Sequence, residues 1–156
     1  MRIHICAVGR LRSGPERALV DDYLTRFDRS GRPLSLGPVQ MHEVEDRKGG
    51  GMAAEAALLA RALPEGALVC TLDERGRNLT SPEFAQMLAD WRDQGRMDAA
   101  FVIGGADGIA PALRAQADAS LSLGRMVWPH MLVRVMLAEQ LYRAASILAG
   151  APYHRA

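Results

Sequence analysis

Two stretches gather the side chains best equipped to move protons and hold anions. One runs from Pro129-His130 through Glu139, Tyr142 and Arg143, and the other is the terminal run Pro152-Tyr153-His154-Arg155. An imidazole titrates near neutral pH and a guanidinium grips phosphate with a planar fork of donors. With a phenol ring, the set suits stacking on a base, moving a proton and holding a phosphate. The residue types leave the identity of the base open. His130 equally suits capping or packing at a helix start, Tyr142 suits a core, and Glu139 with Arg143 stand at i, i+4, the spacing of a plain helix salt bridge. In so apolar a segment that pair still needs partners, which a subunit interface or an active site would supply.

Common nucleotide, hydrolase and metal signatures do not fit. Gly9 to Gly14 (GRLRSG) has the spacing of two phosphate-loop glycines, but Pro15 and Glu16 stand where Lys and Ser or Thr are required. No G-x-G-x-x-G follows the first apolar run, no G-x-S-x-G elbow exists, and the four His and two Cys are scattered without ligand spacing, so no metal is expected. What remains is a pocket of backbone at strand ends, near apolar side chains and with few charges. It suits a small ligand with an aromatic base and polar groups that meet main-chain partners.

The elements that must position these residues alternate along the chain. Arg2 to Val8 reads as a buried strand, bounded by Gly9. Pro15 opens a helix through Phe27, and Leu34 to Val44 reads as a weaker strand, broken by Gly37 and Pro38 and therefore at an edge or a bulge. Glu45 to Gly51 is a polar, Gly-rich loop that either closes on a substrate or simply connects. A helix from Met52 to Leu63 stops before Pro64, and a strand from Ala67 to Leu72 leads into a polar loop, Asp73 to Asn78. Thr80 with Glu83, or Ser81 with Pro82, caps a helix through about Arg92. Ala99 to Ile103 is the next strand. It is followed by Gly104-Gly105-Ala106-Asp107-Gly108, a helix from about Pro111 to Ala117, and an extended run at Leu121 to Leu123 that resumes at Met126 to Trp128. Pro129 fits the first turn of a last helix, which starts near His130 and stays apolar on almost all sides to Leu148. That helix is read as a core element that also packs on a second subunit. Arg134, Glu139 and Arg143 would be expensive in hydrocarbon, so no membrane is expected. The alternation implies a mainly parallel α/β sheet with helices on both faces, and ligands beyond the carboxyl ends of its strands, at Gly9, Asp73, Gly104 and Gly124.

A chain of 156 residues fits one domain, 1–156, with room for a core. Cys6 and Cys70 sit in apolar runs as core thiols, which suits a reducing cytosol, and no apolar signal segment follows Met1, so a cytoplasmic location is expected. A net charge of +1 argues weakly against a nucleic-acid binder. Of the 19 basic residues only Lys48 is a lysine, which suits phosphate contacts or reflects codon preference.

A wider combination of motifs carries a resemblance. LD-x-x-G at Leu72 to Gly76, VIGG-x-x-G at Val102 to Gly108, and L-x-x-x-x-x-PH-x-x-x-R-x-x-x-x-E-x-x-YRA from Leu123 to Ala144 precede PYHR at Pro152 to Arg155. With AVG at Ala7 to Gly9 and Tyr23 and Arg26, the pattern covers the whole chain. It resembles the bacterial large-subunit ribosomal RNA methyltransferases that methylate N3 of a pseudouridine in 23S rRNA. The resemblance implies the knotted SPOUT fold, with a C-terminal trefoil knot contrary to the general rule against threaded chains. It also implies a homodimer and S-adenosylmethionine as methyl donor. The donor would touch Leu72, Gly104 and the main chain of Leu123, Gly124, Arg125, Met126, Val127 and Trp128. His130, Arg143, Tyr153, His154 and Arg155 are the catalytic candidates, with the base unassigned. With eight aromatic residues in the chain, an assembled ribosomal surface would supply much of the specificity for 23S rRNA. The alternatives are a sister enzyme acting on tRNA and a non-enzymatic RNA-binding or assembly module.

Overall fold

The computed structural model describes residues 1–155; Ala156, which the single-domain reading includes, lies outside the described residues. Strands β1 (Arg2–Val8), β2 (Val39–Val44), β3 (Leu68–Asn78), β4 (Asp98–Ile103) and β5 (Ala119–Ser122) alternate with helices α1 (Pro15–Gly31), α2 (Gly51–Ala62), α3 (Ser81–Asp93), α4 (Pro111–Gln116) and α5 (His130–Leu148). All the strand pairs are parallel, in the order β2-β1-β4-β3-β5. The central strands β1 and β4 are buried from Ile3 to Val8 and from Asp98 to Ile103, and are mostly apolar because both of their faces are covered. Ile3, Ile5 and Ala7 pack with Phe101, Ile103 and residues of α1, α3 and α5, while Cys6, Val8 and Val102 pack with Leu59 of α2 and Leu113 of α4.

The structure moves several boundaries, each for a local reason. Helix α1 continues past Phe27 to Gly31, because no breaker occurs before that glycine. Leu34, expected to open the second strand, instead closes a 3-10 turn over Arg32–Leu34, and Ser35 and Gly37 follow with φ of 57° and 94°. The extended run therefore begins only at Val39, whose amide donates to Asp28 Oδ1 at 2.9 Å. It lies at the sheet edge as its Gly and Pro suggest. The polar segment after Leu72 is not a free loop. Leu72 and Arg77 both pair with Leu121, so Asp73 to Gly76 bulge out while β3 continues to Asn78. A methyl group on Gly76 would lie 2.7 Å from the Leu121 backbone, which is why a glycine re-enters the ladder there. Met126 to Trp128 do not resume a strand, and Pro129 is the N-cap of α5 rather than a residue of its first turn. Thr80 and Glu83 do form the expected reciprocal cap of α3.

Helix α5 lies between α1 and α3 on one sheet face, burying Leu137, Leu141, Ala144 and Ala145 in the main core and Ala138 against Val20. It is not buried on every side of the single chain: Met131 and Leu132 are 39% and 38% exposed. Its anchor is polar. Arg134 is fully buried, and its Nη1 donates to Glu43 Oε2 at 2.8 Å while Nη2 donates to the carbonyls of Val8 and Gly9, each at 2.7 Å. Glu43 Oε2 also accepts from the Leu11 amide. Truncating Arg134 leaves the Val8 and Gly9 carbonyls without that donor and the Glu43 carboxylate without its counter-charge, at the carboxyl ends of β1 and β2. Arg134→Leu is thus expected to lower the unfolding free energy by about 3 kcal/mol, read from the urea midpoint. A change within about 0.5 kcal/mol would show that the network contributes nothing.

Candidate functional site

The carboxyl ends of β3 and β4, the turn after β5 and the start of α5 frame a cavity of about 530 Å³, within the size range of small-molecule sites. Leu72, Gly104, Leu123, Gly124, Met126, Val127, Trp128 and His130 all line it. Arg125, expected beside them, lies in the same turn but not in the lining. Met126 and Val127 are 75% and 85% exposed, so this turn presents backbone to the cavity more than packed side chains. Gly124 has φ of 117°, a conformation that other residues rarely adopt, and its amide is held by the Ser122 hydroxyl at 3.1 Å. Gly9, expected at the same ligand-binding edge, is outside the lining: its carbonyl is taken by Arg134.

Gly104 needs a bare α carbon for a reason internal to the chain. An added methyl would lie 2.6 Å from the Gly108 backbone and 2.9 Å from Ile109, because residues 105–108 fold back in a tight turn closed by the Gly108 amide on the Gly105 carbonyl at 3.0 Å. The lining is also more charged than the sequence suggests. Asp73, Glu74, Arg75, Asp107 and Arg114 all reach it, and Arg114 Nη1 pairs with Asp73 Oδ2 at 3.4 Å. The motif had marked Asp73 only as a strand end. Nothing in the short segment around Arg114 distinguishes it from an ordinary surface arginine.

The remaining catalytic candidates collect elsewhere. Arg143 is 13 positions along α5 from His130, about 20 Å at the α-helical rise. There Arg143 Nε donates to Glu139 Oε1 at 3.0 Å, and the Tyr153 hydroxyl donates to the same oxygen at 3.0 Å. Arg143 lies over the Tyr153 ring, 4.8 Å from its centroid, and the rings of Tyr153 and Tyr142 are 4.6 Å apart. Burial, then the bond to Glu139, pushes the Tyr153 phenol well above its ordinary range, so it remains a neutral donor. Arg143 Nη1 faces His154 Nδ1 at 3.2 Å. A guanidinium has no acceptor, so Nδ1 accepts and the proton of neutral His154 resides on Nε2. In this arrangement His154 offers a donor, and Arg155 is exposed beyond it. The helix pair thus has its partners: the tail itself supplies them.

A second hollow of about 540 Å³ runs between α1, α3 and α5. It reaches from Tyr23 and Glu139, beside the tail, to Leu123 and Gly124, which it shares with the first cavity. Among the described residues, no three His, Cys, Asp or Glu side chains converge to hold a metal ion, and no helix is long and apolar enough to cross a membrane.

The family model "Predicted SPOUT methyltransferase" matches residues 1–154. Proteins named ribosomal RNA large subunit methyltransferase H from Roseobacter denitrificans and Cereibacter sphaeroides are 77% and 73% identical to the chain, each over 155 residues and 99% of both lengths. Among solved structures, a probable methyltransferase from Bordetella pertussis Tohama I aligns with a TM-score of 0.54 at 19% identity, covering 92% of this chain and 96% of its own. A probable methylase family protein from Haemophilus influenzae Rd KW20 aligns with a TM-score of 0.53 at 12% identity, covering 99% of this chain and 70% of its own. Both have the same fold. Gly104→Val should deform the turn that floors the first cavity. It is expected to abolish the binding heat of S-adenosylmethionine, the ligand implied by the sequence resemblance, with circular dichroism unchanged. Normal heat would place the pocket elsewhere.

Proposed function

The chain belongs to the SPOUT methyltransferase family, and on that footing we propose that it methylates N3 of a pseudouridine in 23S rRNA, in the loop of helix 69 on the assembled ribosome, using S-adenosylmethionine. The observation that carries this reading is the cavity framed by Leu72, Gly104 and the turn from Leu123 to Trp128, the same segments that the sequence motifs mark for the donor. Relatives named as large-subunit rRNA methyltransferases match end to end at about three residues in four, which supports the substrate class.

S-adenosylmethionine supplies an electrophilic methyl group on a sulfonium. The chain supplies position. Backbone at Leu72, Gly104 and the Gly124 turn would hold the polar atoms of the donor, and apolar Leu121 and Ile109 line the same cavity. In-line displacement requires the target nitrogen to line up with the sulfur–methyl bond, and His130 is among the residues that line the cavity. N3 carries a proton, so either a base removes it or donors stabilise the imide anion that forms. His130 is at hand. Arg143, Tyr153, His154 and Arg155 are not, since they collect about 20 Å away along the same helix.

A homodimer resolves that separation. The exposed apolar side of α5, with Met131 and Leu132, and the hollow between α1 and α5 offer a face for a second copy. Two-fold packing there lets the tail of one subunit complete the cavity of the other. Arg143 and Arg155 then hold phosphate, and Tyr153 and His154 donate to or stack on the base.

The decisive assay is methyl transfer to ribosomes lacking the modification, followed by mapping of the methylated nucleotide. Methylation of tRNA alone would favour the sister-enzyme reading, and RNA binding without heat from S-adenosylmethionine would favour a non-enzymatic module. Light scattering is expected to give twice the chain mass at micromolar concentration; a stable, active monomer contradicts the dimer. Deleting Tyr153 to Ala156 is expected to preserve donor binding and remove methyl transfer. Heterodimers of that deletion with Gly104→Val contain one pocket with both an intact donor site and an intact neighbouring tail. Recovery towards half of one wild-type site supports crossed tails, and no recovery from verified heterodimers rejects them.

A further inference from the structure

Beside the donor cavity, on the side of β1, lies a carboxylate that the motifs do not mark. Glu55, on the inner side of α2, has its Oε2 shielded from solvent and without a hydrogen-bond partner among the described residues. The carboxylate lies flat against the Gly105 α carbon: a methyl group there would be 3.0 Å from Oε2, 3.1 Å from Oε1 and 3.1 Å from Val8 Cγ1. Gly105 lines the cavity, and Val8 ends β1. Glu55 therefore sits where the carboxyl ends of β1 and β4 meet. From that point the chain order runs outward through β2 on one side and through β3 and β5 on the other, and crevices at such reversals are where α/β sheets take ligands.

An imidazole lies close by. His130 Nε2 would be 3.9 Å from a methyl on Gly9, the residue after Val8. A carboxylate packed against the cavity-lining Gly105 and an imidazole in the lining itself suit the imide edge of a uracil-type base, whose N3–H lies between two carbonyl oxygens. A buried carboxylate oxygen without a partner is costly, so a ligand N–H is the natural occupant. Two N–H groups can come: the ammonium of the methyl donor and the imide of the target base. Position favours the imide. Asp73 and Glu74 already line the cavity at the end of β3 and can meet a cation, whereas Glu55 lies farther along that edge, between Gly105 and Val8.

We propose that Glu55 accepts the N3 proton of the target base, a role that rests on the methyl-transfer reading above. The N3–H bond breaks and its proton passes to the Glu55 carboxylate. The nitrogen electron pair forms the new bond to the methyl carbon, and the sulfur–methyl bond breaks with its pair remaining on sulfur. His130 donates to a flanking carbonyl oxygen, where the negative charge collects. The surroundings suit a base: burial first, then Asp107 in the turn after β4 and Asp46 in the loop before α2, raises the Glu55 pKa, and His130 on α5 opposes them. A carboxyl made less acidic is a better proton acceptor near neutral pH.

The test uses full-length protein and ribosomes lacking the modification. Glu55→Gln keeps the shape and removes the charge. It is expected to retain the melting temperature, dimer mass and binding heat of S-adenosylmethionine while single-turnover methyl transfer at neutral pH falls about a hundredfold. The pH profile separates this from a structural role. The wild-type rate is expected to be lost as pH falls through the raised Glu55 pKa, where the base becomes protonated, and to level off above it. In Glu55→Gln that arm disappears, and the rate climbs with pH as the imide ionises unaided. Glu55→Asp keeps a carboxylate on a shorter arm, so partial activity with the low-pH arm retained is expected even if the amide variant folds poorly. Activity of Glu55→Gln within twofold of wild type and with the same profile overturns the proposal. So does loss of donor heat in that variant, which would assign the carboxylate to the donor ammonium. Wild-type protein that binds donor but methylates no ribosomal substrate overturns the methyl-transfer reading itself, and this role with it.

Discussion

One buried guanidinium holds the working edge of the molecule together. Arg134 projects from the first turns of α5 to the carbonyls that end β1, and through Glu43 to β2 and to the amide of Leu11 in the loop before α1. Strand ends commonly leave carbonyls for water to satisfy, but here they are enclosed, and a planar fork of donors meets both of them. Desolvation lowers the pKa of Arg134, and Glu43 works against it. The charge is retained because a buried arginine does not give up its proton. The result is positional: the start of α5, with His130, is fixed to the sheet from residues more than 120 positions earlier in the chain.

The two ends of the sheet differ in how far their polar groups are satisfied. At the amino ends, Arg2 donates twice to Asp98, Asp98 accepts from His4 Nε2 at 2.8 Å, and His4 Nδ1 faces His42 Nε2 at 3.0 Å. Arg2 first, and His4 after it, holds the Asp98 carboxyl below its usual range, while burial and then His4 lower the His42 pKa. These groups form one hydrogen-bonded chain from His42 through His4 to the Asp98 carboxylate. The carboxyl ends are otherwise. Glu55 Oε2 has no partner among the described residues, and residues 125–127 of the turn after β5 are exposed. Both features of the carboxyl edge stand beside the cavity: Glu55 packs against Gly105, and Met126 and Val127 line it.

Much of this was legible in the sequence because it is local or periodic. The buried strands are apolar runs too short for helices, the capping residues of α3 stand at their characteristic spacing, and the glycines after β4 and β5 mark the cavity. What depended on contacts across the chain was not legible. Periodicity cannot show that Gly76 returns the chain to Leu121 and turns an apparent loop into a bulged strand. Nor can it show that Arg134, one charge among several in an apolar helix, is the buried one. The motifs listed His130 and the tail residues together, but sequence adjacency on one helix hid the length of α5 between them. Glu55 carried no signal at all, since a lone acid in an Ala-rich helix looks like a solvent-facing residue until Gly105 is seen against it.

The two cysteines acquire a meaning from the chemistry assigned to the cavity. Cys70 lies on β3 two residues before Leu72, and Cys6 on β1 two residues before Val8. Both are buried and unpaired, and burial pushes their thiols up to about 12 and about 11. A sulfonium methyl is a soft electrophile, and the thiolate is the soft nucleophile that would take it in preference to a nitrogen. Kept protonated and packed inside the sheet, neither sulfur would compete for the methyl group of the proposed donor.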